Sequence, residues 1–131
     1  VTTNLGCPIE TAASFDGTLQ IFERGVMYFR PTGEIWAVAP GAARYWYVTA
    51  APPVEVGEIV APEGLRAPVL GFGAVWRGVE GVEAALGFAR TGEEAAQITL
   101  QRFQGGSLLR DRASGQVFIL YADGTLSGPY S

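Results

Sequence analysis

Short runs rich in aromatic and β-branched residues alternate along this chain with clusters of turn residues. Thr18–Glu23, Val26–Arg30, Glu34–Ala39 and Arg44–Ala50 each have the make-up of a short strand. Glu23-Arg24-Gly25 reads as a tight connection in which Gly25 supplies a positive φ. Pro31-Thr32-Gly33 suits a type I or II turn, and Pro40-Gly41 separates the third strand from the fourth. Four strands joined by turns this short predict an antiparallel meander. The pattern returns at Ile98–Phe103, Ser107–Arg110 and Gln116–Tyr121, and Asp123-Gly124 turns the chain towards a short terminal strand.

The periodicity changes between the two meanders. Ala51–Pro68 carries Pro52, Pro53, Pro62 and Pro68, which predicts an extended connector lying over the surface. Beyond it, Phe72, Val75 and Trp76 follow the i, i+3, i+4 spacing of one helical face, and Val79, Val82 and Leu86 follow i, i+3, i+7. Gly78 and Gly81 argue for two short helices rather than one long one, and Gly87 is placed to end the second.

The two meanders are related in sequence. A shift of 81 residues lays Leu5-Gly6 on Leu86-Gly87, Thr18-Leu19-Gln20 on Thr99-Leu100-Gln101, Phe22 on Phe103 and Gly25 on Gly106. One further residue of slip lays Gly33 on Gly115, and Ile35-Trp36-Ala37-Val38 on Val117-Phe118-Ile119-Leu120. The expected architecture is therefore one mainly β (α+β) domain spanning 1–131. It comprises repeat A (5–50), a connector with helices (51–86) and repeat B (86–128). Two pseudo-symmetric antiparallel meanders would be bridged by two short helices serving both halves over a single core.

The words of this repeat resemble a known family. "LGCPIETAASFDGTLQIFERGVMYFRPTGEIWAV" is similar to an LGFP repeat: Leu-Gly-x-Pro, a Gln-x-Phe-Glu-x-Gly core, an aromatic strand and a Thr-Gly turn. The second copy has Ala89 in place of the proline and Gln104 in place of the glutamate. The resemblance implies a non-catalytic, secreted or cell-surface module of bacterial envelopes, and does not supply a ligand. On the same alignment Cys7 lies opposite Phe88. That favours a packed thiol over a lipid-modified one, because Val1–Asn4 offers no apolar lipobox segment.

Composition narrows the chemistry. Apolar residues make up 48% and charged residues 17%, which argues against a disordered chain. The net charge is −4, every basic residue is Arg, and no basic cluster suits nucleic acid. No apolar run is long enough for a membrane-spanning helix, so no membrane insertion is expected. Without histidine the chain cannot build a Ser-His or Cys-His nucleophile system, and its single cysteine cannot form an intrachain disulfide. No cofactor or metal is expected.

Tyr28, Arg30, Trp36, Tyr45 and Tyr47 are the candidate ligand-binding residues. One face of the first meander is expected to present aromatic rings on which sugars stack, with Arg30 or Glu34 bonding hydroxyls. The second copy carries Leu108, Leu109 and Phe118, which makes it the poorer site. The carboxylate pairs Glu80/Glu83 and Glu93/Glu94 lie on a solvated helix face and in a loop, where nothing raises a pKa for glycoside cleavage. Asp111 and Asp123 lack the dense oxygen set of a calcium loop. Two partners follow: a wall or surface polysaccharide, or copies of the chain itself pairing through open edge strands into a filament or surface layer.

Overall fold

The computed structural model describes residues 12–49, 61–68, 70–112 and 115–130. Cys7, the first Leu-Gly pair and the first part of the proline-rich connector lie outside them. Eight antiparallel strands form one sheet: β1 (Ala13–Phe22), β2 (Gly25–Phe29), β3 (Ile35–Ala39), β4 (Arg44–Val48), β5 (Glu94–Phe103), β6 (Gly106–Asp111), β7 (Val117–Tyr121) and β8 (Leu126–Tyr130). Their order is β4-β3-β2-β1-β5-β6-β7-β8, so the two meanders join back to back through β1 and β5. Helices α1 (Leu70–Gly78) and α2 (Val82–Leu86) lie between β4 and β5 in the chain. The mainly β architecture with two short helices matches the pattern of the sequence.

The two halves share their registers. Thr18 pairs with Phe29 in the first half, and Thr99 with Arg110 in the second, each residue 81 places on. Tyr28 faces Trp36 while Leu109 faces Phe118, the second partner shifted by 82, which locates the extra residue in the β6–β7 turn. Asp16 pairs with Gln97, its own counterpart, so a pseudo-two-fold axis passes through that pair. β1 and β5 begin earlier than their composition suggests. Apart from Phe15, Ala13–Gly17 and Glu94–Gln97 hold small and polar residues of low strand propensity, yet they are strand because each pairs with the other half.

The sheet curls until its edges meet, where the sequence pattern predicts two open edges. Tyr45 N–H donates to Gly124 O (3.1 Å) and Leu126 N–H donates to Ala43 O (3.0 Å), and Arg44 bridges Thr125. These two bonds are also related by the 81-residue shift. Ala43 and Gly124 occupy equivalent turn positions and both have positive φ, 52° and 92°.

Alternation along each strand sorts the side chains into two apolar layers. The barrel interior holds Leu19, Tyr28, Trp36, Ile98, Leu109 and Phe118. The outer face of β2 and β3 presents Met27, Ile35, Ala37 and Ala39 to Phe72, Val75, Trp76, Val82 and Leu86 of the helices. The helices therefore cover the first meander from outside, which corrects the expectation of one shared core beneath both halves. β3 is apolar at all five positions because it is buried on both faces.

The break between α1 and α2 falls at the predicted glycines, and Gly87 ends α2 with φ 76°, its N–H bonded to Glu83 O (2.9 Å). From there the second Leu-Gly motif runs against the β1–β2 turn. Arg24 N–H donates to Leu86 O (3.0 Å), Glu23 N–H to Phe88 O (2.9 Å), and Phe88 N–H to Glu23 Oε1 (3.0 Å). The Leu-Gly motif of one copy thus docks on the Gln-x-Phe-Glu-x-Gly motif of the other.

Gly25 is required for close approach rather than for the positive φ expected of it, and Gly106 for close approach together with a positive φ of 153°. A Cβ on Gly25 would sit 2.2 Å from Val38 O, and one on Gly106 would sit 1.9 Å from Leu120 O. Gly25→Ala and Gly106→Ala should each lower unfolding free energy by about 1–3 kcal/mol or more through overpacking. Gly41→Ala, with nothing within 4 Å, should stay within about 0.5 kcal/mol of wild type. Urea denaturation of the three variants measures both.

Candidate functional site

Three strands carry their inward side chains beyond the core to one end of the barrel. On β2 the inward series Val26, Tyr28 continues to Arg30; on β4, Tyr45 continues to Tyr47; on β5, Ile98 and Leu100 continue to Arg102. The β2–β3 turn closes with Arg30 N–H on Glu34 O (2.9 Å) and Gly33 N–H on Arg30 O (2.8 Å). Gly33 has φ 106°, a conformation glycine adopts without strain. That turn brings Glu34 into the centre of the group.

Glu34 organises the cluster. Its Oε1 accepts Thr32 Oγ1–H (2.8 Å) and Arg30 Nη1–H (3.4 Å). Its Oε2 accepts Arg102 Nη2–H (2.8 Å) and the Tyr47 hydroxyl. The rings are stacked in sequence. Phe15 lies 6.2 Å from Trp36 at an interplanar angle of 21°, and Trp36 lies 5.2 Å from Tyr47. Arg30 sits over Phe15 at 4.7 Å and Arg102 over Tyr47 at 6.0 Å, both within cation–π range.

Burial alone would raise the Glu34 pKa. The hydrogen bonds from Tyr47 and Thr32, with the charges of Arg102 and Arg30, outweigh it and hold the carboxyl below its ordinary 4.5. Burial, followed by the bond to Glu34, pushes the Tyr47 hydroxyl up. At neutral pH the pair is a carboxylate and a phenol. The depressed pKa of Glu34 is opposite in direction to the raised pKa of a glycosidase's proton-donating acid. Among the described residues no group of three or more His, Cys, Asp or Glu could hold a metal ion.

The five residues singled out in the sequence separate into three places. Arg30 and Tyr47 stand at the barrel end, Tyr47 being 39% exposed. Tyr28 and Trp36 are core residues at 1% and 2% exposure, which corrects their assignment to an exposed stacking surface. The cause is curvature: the aromatic face of the meander is the inside of the barrel. Tyr45 lies on the seam, its hydroxyl donating to Tyr121 O (2.7 Å). Phe15, Thr32 and Arg102 were not legible as site residues, and Arg102 lies 68 positions from Glu34 in sequence.

Of the carboxylate pairs, Glu83 reaches Arg77 at 3.6 Å on the exposed side of the helices, and Glu94 opens β5 rather than a loop. Asp123 accepts both the N–H (3.0 Å) and hydroxyl (2.6 Å) of Thr125 in the β7–β8 turn, and Asp111 is buried. Compared with known proteins, the chain matches no family model, no curated protein and no solved structure.

Because the folded pKa of Glu34 is depressed, its contribution to stability is complete above the unfolded value and is lost as pH falls through the folded one. The stability gap between wild type and Glu34→Gln should therefore be widest at neutral pH and shrink below pH 4.5. Urea denaturation across that range measures it, and a gap independent of pH would show that the network contributes nothing through charge.

Proposed function

We propose that this chain is a non-catalytic module of the bacterial cell exterior that binds wall or surface polysaccharide at the Tyr47 end of the barrel. The observation that carries the reading is the way Tyr47 is held. Its ring is exposed, backed by Trp36, overlain by Arg102, and its hydroxyl is bound to Glu34. An aromatic surface immobilised before binding loses little conformational freedom when a sugar ring stacks on it. The bacterial and extracellular setting rests on the likeness of the repeat to LGFP sequences.

The alternative, assembly of copies through edge strands, has less support. Its premise is unpaired edges, and β4 and β8 spend part of their outward hydrogen-bonding groups on each other.

Retention on insoluble wall polysaccharide tests the first reading, and light scattering tests the second. Tyr47→Ala should lose at least about tenfold in retention, the scale of one binding hot spot, while keeping its circular dichroism spectrum. Unchanged retention in that variant would remove Tyr47 from the reading, and filaments of the purified wild type would favour the alternative.

A further inference from the structure

The link between α1 and α2 stands beside the β1–β2 turn, and a cleft of about 490 Å³ lies between them. That size falls within the range of small-molecule sites. Its apolar lining is Trp76, Val79, Ala84 and the half-buried Phe88, whose ring lies 5.4 Å from that of Trp76. The bond from Trp76 Nε1–H to Gly87 O (2.8 Å) fixes the indole. Gly87 keeps the inner wall open: a Cβ there would meet Glu23 Oε1 at 2.8 Å and Arg24 Nη2 at 3.2 Å.

Five charged side chains line the same cleft. Glu23, Glu80 and Glu83 supply three carboxylates against the two guanidinium groups of Arg24 and Arg77, a net charge of −1. Both guanidinium groups are already engaged. Arg24 donates its Nε–H to Ala85 O (3.3 Å) and its Nη2–H to Ala84 O (2.9 Å), carbonyls at the end of α2. Arg77 lies over Trp76 at 5.6 Å and reaches Glu83 at 3.6 Å. Carboxylate capacity is left over. Glu23 spends Oε1 on Phe88 N–H, and Glu80 makes no hydrogen bond or ion pair among the described residues. These carboxylates are spread around the rim; among the described residues no three acidic groups gather closely enough to hold a metal ion.

We propose that this cleft binds an organic cation, an ammonium group carried on an apolar stem. The stem would lie against Phe88 and Val79, and the ammonium would face Glu80 and the second oxygen of Glu23. Dispersed carboxylates beside an apolar lining suit such a cation, whereas a metal ion demands converging oxygens. An ammonium has three donors to share among separate acceptors, and aromatic rings attract it. The total charge of −4 favours the approach of a cation. The cleft lies beside Gly25, at the opposite end of β2 from Arg30, so the inference does not rest on the glycan reading of the Tyr47 end.

NMR titration with pentylammonium, pentanol and pentanoate is the test, following the Trp76 indole N–H and the amides of Gly87 and Phe88. The three probes share a stem and differ in charge. Pentylammonium should bind at least about threefold tighter than pentanol, the scale of an exposed charge contact, and pentanoate should bind more weakly than either. The advantage of the ammonium should shrink as salt is raised. Glu80→Gln, at an exposed position, should reduce that advantage while leaving pentanol binding and the circular dichroism spectrum unchanged. Glu23→Gln, which keeps an acceptor for Phe88 N–H, should do the same. An ammonium advantage undiminished in both variants overturns the assignment of the acidic rim. Equal affinity for ammonium and alcohol overturns the charge selection, and absence of any perturbation at Trp76, Gly87 and Phe88 overturns the site.

Discussion

The pairing of β1 with β5 is the interaction on which the rest of this structure depends. Seven residue pairs, from Ala13 with Leu100 to Leu19 with Glu94, join two meanders that would otherwise be separate four-stranded sheets. Their antiparallel alignment about Asp16 and Gln97 creates the pseudo-two-fold axis and gives the sheet eight strands, enough to curl and bring β4 to β8. It also sets the direction in which β5 runs past the start of β1. Arg102 therefore ends beside a turn of the other half, and the Glu34 cluster is a product of the junction between halves, not of either meander alone. Few of these residues have high strand propensity, so the junction is stabilised chiefly by its ladder and by the apolar interior on which it lies.

This explains what was legible in the chain. The outer strands of each meander, the glycine break between the helices and the stop at Gly87 follow from local patterns of apolar and turn residues. The relation of the halves followed from identities such as Thr-Leu-Gln and the paired Gly25 and Gly106. The early parts of β1 and β5 were not legible, because they form strand only in each other's presence. Curvature was not legible either. Alternation shows that Tyr28 and Tyr45 share a face with Trp36 and Tyr47, but not that this face is the inside of a barrel. Of the site, Arg30, Glu34 and Tyr47 belong to one meander and could be named together. Arg102 comes from the other repeat, and no local signal marks it.

The helices show how a symmetric backbone acquires an asymmetric core. Their apolar faces pack on the outside of β2 and β3, where Ala37 and Ala39 leave space for Trp76 and Leu86 to approach. At the position equivalent to Ala37, β7 has Ile119, a larger side chain. Trp76 anchors the arrangement by donating its Nε1–H to Gly87 O (2.8 Å), which ties α1 to the point where α2 ends and the second Leu-Gly motif begins. Close packing makes such differences consequential: a bulkier residue at position 37 would displace the helices, and with them the strand of contacts from Leu86 to Arg90 along the β1–β2 turn.

Two meanders with matching registers also separate architecture from chemistry within one molecule. Features that closure of the barrel demands should occur on both sides, and they do. Gly25 and Gly106 lie against a neighbouring carbonyl, Ala43 and Gly124 take the left-handed turn, and Tyr45 and Leu126 donate across the seam. Even Ala43, which pays a steric cost for its φ that glycine would not, keeps the geometry. Features that occur on one side alone are not demanded by closure. The stacked rings of Phe15, Trp36 and Tyr47 lose their outer members in the second half, and the arginine pair is replaced by Asp111 and Ile21. An ion pair at a barrel end adds little to stability once desolvation and side-chain ordering are counted. The pairing of Arg30 and Arg102 with Glu34 is therefore one way of filling a backbone frame that the other half fills with different residues.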